Sequence, residues 1–291
     1  MTVLPNFDAN DMSEPKNKIL KMVHLLSDMV IKRETNGILM NMMNFDLPVS
    51  KLRDFLLTKP EFESIVRDYG DGFVRVCIKE QYYNMSFMSS MCDKINSKEM
   101  RSIILQIIHT LYTIQTKYKG FRHNDLTSES IVLCSKPCER KILEFGKKKI
   151  ILDDEGILVK FTNFLQANIP DVIENEGIMD EMKPEDNLYD IIHFLKSIES
   201  FYKAGSKCST LKNDNCYDEQ YKFISQLLSI LTSEKSKNIL LSDIIIMSNM
   251  FSESNSSTSK MKGGSRTIRG TRFIRDQDSS KKYETKHSEK Y

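Results

Sequence analysis

The segment from Asn96 to Cys134 constrains the fold more than any other part of the chain. Asn96 is followed three residues later by Glu99, a reciprocal capping pair in which each side chain can satisfy a backbone N–H of the first helical turn. Met100, Ile103, Ile104, Ile107, Leu111 and Ile114 then recur at helical spacing and make one apolar stripe. The pattern closes near Lys119-Gly120, basic residues and then glycine, as helix C-termini prefer. A short loop carries His123-Asn124-Asp125, and Ile131–Cys134 reads as an apolar strand. A long buried helix, a polar loop and a buried strand must therefore follow one another, with the loop held at both ends by the core.

The rest of the chain alternates helical and strand patterns, which gives an α+β class. Residues 1–12 read as a loose leader. Ser13 can cap a helix running to about Arg33, with Ile19, Met22, Val23, Leu26, Met29 and Val30 on one face. Residues 34–70 are ambiguous apart from a short helix near Val49–Leu57. The stretch 72–79, "GFVRVCIK", is the first convincing strand. Lys149–Leu152 and Ile157–Phe161 read as strands around the turn Asp153-Asp154-Glu155-Gly156. Leu188, Ile191, Ile192, Leu195 and Ile198 mark one further helix, and Tyr221, Ile224, Leu228 and Leu231 another, before a last apolar element at Leu240–Met247.

Charge and cysteine usage narrow the function classes. The net charge is +2, but its distribution is uneven. From Ser252 to Tyr291 there are ten basic and five acidic residues, against 32 basic and 35 acidic in the remainder. This basic, Ser/Thr-rich end has few apolar residues and reads as disordered. It lacks interleaved aromatics, so any contact with nucleic acid or an anionic surface would be nonspecific and salt-sensitive. Six cysteines occur without a CxxC pair. Cys134, Cys138, Cys208 and Cys216 have no familiar zinc spacing with histidine and read as reduced thiols. No apolar run of about 18 residues or leading secretory segment appears, which argues against secretion and membrane spanning.

His123-Asn124-Asp125 in its helix–loop–strand setting resembles the catalytic loop of a protein kinase, in which the Asp takes the proton of the substrate hydroxyl. Five residues on, where the family has a magnesium-binding Asn, stands Ser130, and Thr127 replaces the usual Lys. The stretch 158–167, "LVKFTNFLQA", sets Asn163-Phe164-Leu165 in the place of Asp-Phe-Gly. Asn163 offers a neutral oxygen where magnesium, a hard cation, relies on carboxylates. Val76-Cys77-Ile78-Lys79, preceded by Gly70-x-Gly72, mimics the strand whose Lys grips the phosphates. Spacing rejects it: residues 80–95 are too few for a regulatory helix, two strands and a hinge. The strand 72–79 is thus the last before the hinge. Residues 80–84, "EQYYN", are the hinge, with Glu80, Gln81 and Tyr82 as backbone that could face an adenine. The helix 13–33 is the regulatory helix.

Together with residues 159–177, "VKFTNFLQANIPDVIENEG", and 187–198, "NLYDIIHFLKSI", these motifs resemble the divergent protein-kinase-like proteins of large DNA viruses. The resemblance runs from about Asn17 to Met247 and is specific from Asn96 to Ile198. It implies a bilobed kinase-like fold: a reduced N-terminal lobe over 13–84, a mainly helical C-terminal lobe over 85–250 with a hairpin insertion at 135–156, and a tail at 251–291. It implies that Asp190, with Asp186 as runner-up, hydrogen-bonds the backbone of the catalytic loop. It implies ATP and magnesium as the cofactors of an active member, with Asp125 catalytic, His123 packed under the loop, and Asn163 and Ser130 at the degenerate metal positions. A binding module of the host cytoplasm or virion, acting on an unidentified protein partner, is one reading. A weakly active Ser/Thr kinase and an unrelated α+β protein with a chance His-x-Asp are the others.

Overall fold

A computed structural model describes residues 2–5, 15–68, 72–80, 84–87, 95–135, 141–152, 156–174, 187–205, 215–233 and 241–244. Gln81, Tyr82, Asp186 and the tail at 251–291 lie outside these residues.

The first sheet has three antiparallel strands in the order β1 (Thr2–Pro5), β3 (Phe73–Lys79), β2 (Asn41–Pro48). β1 corrects the expectation of a loose leader: it pairs with β3, Thr2 opposite Cys77 and Pro5 opposite Val74. Val3 is buried with Val49, Leu56, Val66 and Val74 in a small core of its own. Four residues are too short for periodicity to show, and pairing with a longer strand is what orders them. β2 lies in the ambiguous 34–70 region. Its Met42 and Met43 are exposed, so no alternation betrays it. Helix α1 (Pro15–Ile31) buries Met22, Leu26 and Met29 as its stripe requires. Helices α2 (Val49–Leu57) and α3 (Glu63–Asp68) lie between β2 and β3.

Helix α4 (Ser97–Lys117) is the axis of the main core. The side chain of Asn96 accepts from the N–H groups of Lys98 and Glu99, and the Glu99 carboxylate accepts from the Asn96 N–H at 2.7 Å. Met100, Ile103, Ile104, Ile107, Leu111 and Ile114 are all fully buried. Burial of each side chain contributes on the order of 1.5–3 kcal/mol. The helix ends at Lys117, before Lys119-Gly120. Gly120 has φ +73° in the turn beyond, and a Cβ there would stand 2.9 Å from the Pro170 ring. Both facts require glycine.

The second sheet has the order β4 (Asn84–Ser86), β5 (Ile131–Ser135), β8 (Ile157–Phe161). The segments 149–152 and 157–161 are strands as expected, and they pair with different partners. β8 pairs with β5, Ile131 opposite Phe161. β7 (Lys148–Leu152) pairs with β6 (Lys141–Phe145), Ile142 opposite Ile151, as a separate hairpin within 135–156. The side chain of Gln106 on α4 holds β8, donating to the Ile157 carbonyl at 3.0 Å and accepting from the Val159 N–H. The segment after α1 joins the same strand. Phe161 N–H donates to Gly37 and Leu39 N–H to Phe161. A Cβ on Gly37 would lie 2.0 Å from the Thr110 hydroxyl oxygen on α4, so only glycine allows this approach. Helix α5 (Tyr189–Gly205) packs against α6 (Asn215–Leu231), and α6 and the short helix α7 (Leu241–Ile244) pack with α4. Among the described residues no helix is long and apolar enough to cross a membrane.

Candidate phosphoryl-transfer site

The loop after α4 is fixed from three sides. Arg122 and Asn168 exchange two backbone hydrogen bonds, of 3.0 and 2.8 Å. From below, Asp190 in the first turn of α5 is 1% exposed; it accepts the His123 N–H at 2.8 Å on one oxygen and the Asn124 N–H at 2.9 Å on the other. The carboxylate offers one oxygen to each donor, whereas an amide in that place would turn its NH2 toward one of the two N–H groups. From the side, Asn124 adopts φ +62° and its amide donates to the Gln166 carbonyl.

His123 packs rather than reacts. It is fully buried, its ring lies 5.1 Å from that of Phe164, and its Nε2–H donates to the Thr162 carbonyl at 2.9 Å. Burial pulls its pKa down to about 4, so the ring is neutral at ordinary pH.

Asp125 is half-buried and faces Asn163. The Asn163 amide nitrogen donates to an Asp125 carboxylate oxygen at 3.1 Å. The opposite orientation of that amide would set two acceptors against each other. Asn163 sits at φ +61°, a left-handed conformation that Asn tolerates better than most residues. Ser130 is 1% exposed and its hydroxyl donates to the Asp125 carbonyl at 2.6 Å. Thr127 caps the turn Ser128–Ser130 by accepting from the Glu129 N–H.

These residues do not fit magnesium. One metal position is a neutral amide turned toward Asp125, and the other is a buried hydroxyl committed to the loop. Among the described residues no group of three His, Cys, Asp or Glu is placed to hold a metal.

Glu80 is placed differently from expectation. Its backbone N–H donates to the Met40 carbonyl at 2.9 Å and is not free to meet an adenine. Its carboxylate receives the Met40 N–H at 2.8 Å and the ammonium of Lys160 at 2.5 Å. The Lys160 side chain is 7% exposed. This ion pair went unread in the sequence, although a Lys inside the apolar run Ile157–Phe161 is a signal that a buried counter-charge is needed.

The element order completes the assignment. A strand, a helix, two further strands with α2 and α3 between them, the Glu80 segment, the short β4, a long helix, the His123–Asp125 loop, the paired strands β5 and β8 with the β6–β7 hairpin between them, and a buried helix with an acid beneath the loop follow one another, an order consistent with a protein-kinase-like fold. β1, Thr2-Val3-Leu4-Pro5, contains no Lys. The fold and this loop define a divergent protein-kinase-like protein.

Its likeness in sequence is to proteins of a large DNA virus. The chain is similar to two proteins of Acanthamoeba polyphaga mimivirus. One is "Uncharacterized protein R402", 27% identical over 169 residues, covering 57% of this chain and 19% of that protein. The other is "Putative serine/threonine-protein kinase R400", 23% identical over 227 residues, covering 66% of this chain and 49% of that protein. The chain thus spans half or less of the length of these relatives. No protein-family model matches it. Among solved structures it is similar to the Rad53 kinase domain with SCD2, at a TM-score of 0.40 and 14% identity over 84% of this chain and 76% of that one. It is also similar to WaaP in complex with acyl carrier protein, at a TM-score of 0.33 and 9% identity over 80% and 77% of the two chains. Likeness at these TM-scores carries no further conclusion.

Proposed function

We propose that this chain is a kinase-fold protein whose phosphoryl-transfer site is degenerate, and that it works as a binding module for a protein partner in the host cytoplasm or the virion. The hydrogen bond from the Asn163 amide to the Asp125 carboxylate carries the reading. In a working site the group at position 163 is a second carboxylate that holds magnesium against the phosphates. Here it is an amide turned onto the would-be base, so one negative charge remains where two are required. The buried Ser130 hydroxyl and the absence of Lys from β1 point the same way. The basic stretch 252–291 would add nonspecific, salt-sensitive contact with nucleic acid or an anionic surface.

The second reading is a weak Ser/Thr kinase using Asp125 as base with ATP and magnesium. The half-buried, well-held Asp125 favours it, and so does the name of the mimivirus relative described as a putative serine/threonine-protein kinase, half of which this chain covers. Transfer of label from γ-labelled ATP and magnesium to generic Ser/Thr substrates and to the protein itself separates the two. The expected result is no transfer above background. Transfer that disappears in Asp125→Ala would establish the kinase.

A further inference from the structure

A cavity of about 190 Å³ lies between α1, the Asn41 and Lys79 ends of β2 and β3, and the turn 162–165. Ile19, Leu20, Val23, Leu39, Phe164 and Leu165 make its apolar walls. Its cation is Lys79, which stands opposite Asn41 across the β2–β3 pair. Among the described residues no Asp or Glu lines it. Among the described residues Lys79 has no anionic partner. An ammonium among apolar walls with no counter-charge is costly, and burial pulls the Lys79 pKa down accordingly. Asn163, a few atoms from Asp125, forms the far wall.

The Asn41 carboxamide on the walls is only half-satisfied, its buried Oδ1 having no hydrogen-bond partner among the described residues. The Asn41 amide donates to Asn44 at 2.7 Å. Burial pushes the Cys77 thiol up, so it stays protonated and is not the reactive group. What remains among the charged groups is one unmatched positive charge beside an apolar space. An empty apolar cavity of about 150 Å³ is large enough to take benzene. The dimensions therefore suit a benzene-sized body with one charged group attached.

We propose that this cavity binds a small organic anion, its phosphate or carboxylate oxygens paired with Lys79 and its apolar body against α1 and Phe164, without a divalent metal. The chemistry is the same whether the anion is a nucleotide phosphate or a free aryl or alkyl anion. It does not depend on whether phosphate transfer is lost, because transfer is read separately with labelled ATP.

The test is isothermal titration of the full chain in EDTA with phenyl phosphate, ADP and inorganic phosphate. Phenyl phosphate is expected to bind. Lys79→Met, similar in shape without the charge, should weaken it at least about tenfold, the scale of one charge-assisted hydrogen bond. Lys79→Arg should stay within about threefold, since the charge is kept. A urea midpoint of Lys79→Met at or above that of the unaltered chain shows that the fold is intact. ADP binding with the same dependence on Lys79 assigns the site to nucleotides, and binding of phenyl phosphate without ADP assigns it to smaller anions. The proposal is overturned if phenyl phosphate fails to bind in EDTA, if Lys79→Met binds it as tightly, or if inorganic phosphate binds equally well.

Discussion

Replacing Asp190 by Ala removes both acceptors beneath the loop. The His123 N–H belongs to a fully buried residue and loses its only route to a partner, at the upper part of the 1–3 kcal/mol range for an orphaned donor. The Asn124 N–H belongs to a half-buried residue that water can partly reach, which puts it near the lower end. The sum is about 3–4 kcal/mol, a large share of the stability of an ordinary domain. Asp190→Asn keeps one acceptor and should lose about half as much. Asp125→Ala is the comparison, because it removes an acid of the same loop with one partner at the surface, for about 1 kcal/mol. Urea denaturation with unchanged slope gives all three values. If Asp190→Ala and Asp125→Ala cost the same within about 0.5 kcal/mol, Asp190 does not support the loop and the kinase-like architecture loses its main contact.

His123 should make stability fall with acid. Its folded pKa of about 4 lies below the ordinary value of 6.5, so the unfolded chain binds the extra proton first, and stability is complete above pH 6.5 and lost as pH falls toward 4. The loss is about 3 kcal/mol across that window, and urea titrations at several pH values should show it missing from His123→Gln. Glu80→Ala leaves the Lys160 ammonium buried without its counter-charge and should cost about 3–5 kcal/mol, whereas the double variant with Lys160→Met should recover most of that loss in the same denaturation assay.

Local signals carried much of the architecture. The capping pair Asn96–Glu99, the stripe along α4, the short helix Val49–Leu57 and the strand ending at Lys79 are legible because their hydrogen bonds and burial repeat within a few residues. The loop chemistry was equally legible: Asn163, Ser130 and Asp125 stand at set spacings from elements that the pattern already fixed. β1 and β2 were not, since one is four residues long and the other exposes two methionines, and both exist because β3 lies between them. The pairing of β7 with β6 rather than β8 was closed for the same reason: several apolar strands of similar length can exchange partners until the register of the whole sheet is set.

The sequence by itself determined which chemical groups stand at the loop: the carboxylate of Asp125, the amide of Asn163 and the hydroxyl of Ser130. Only the tertiary structure decided where those groups point. It turned the Asn163 amide onto Asp125, buried the Ser130 hydroxyl, placed Asp190 under two backbone donors, joined Glu80 to Lys160 across 80 positions of chain, and left Lys79 in an apolar cavity. Charge and hydrogen bonding act through distance and burial, and neither is set by separation along the chain.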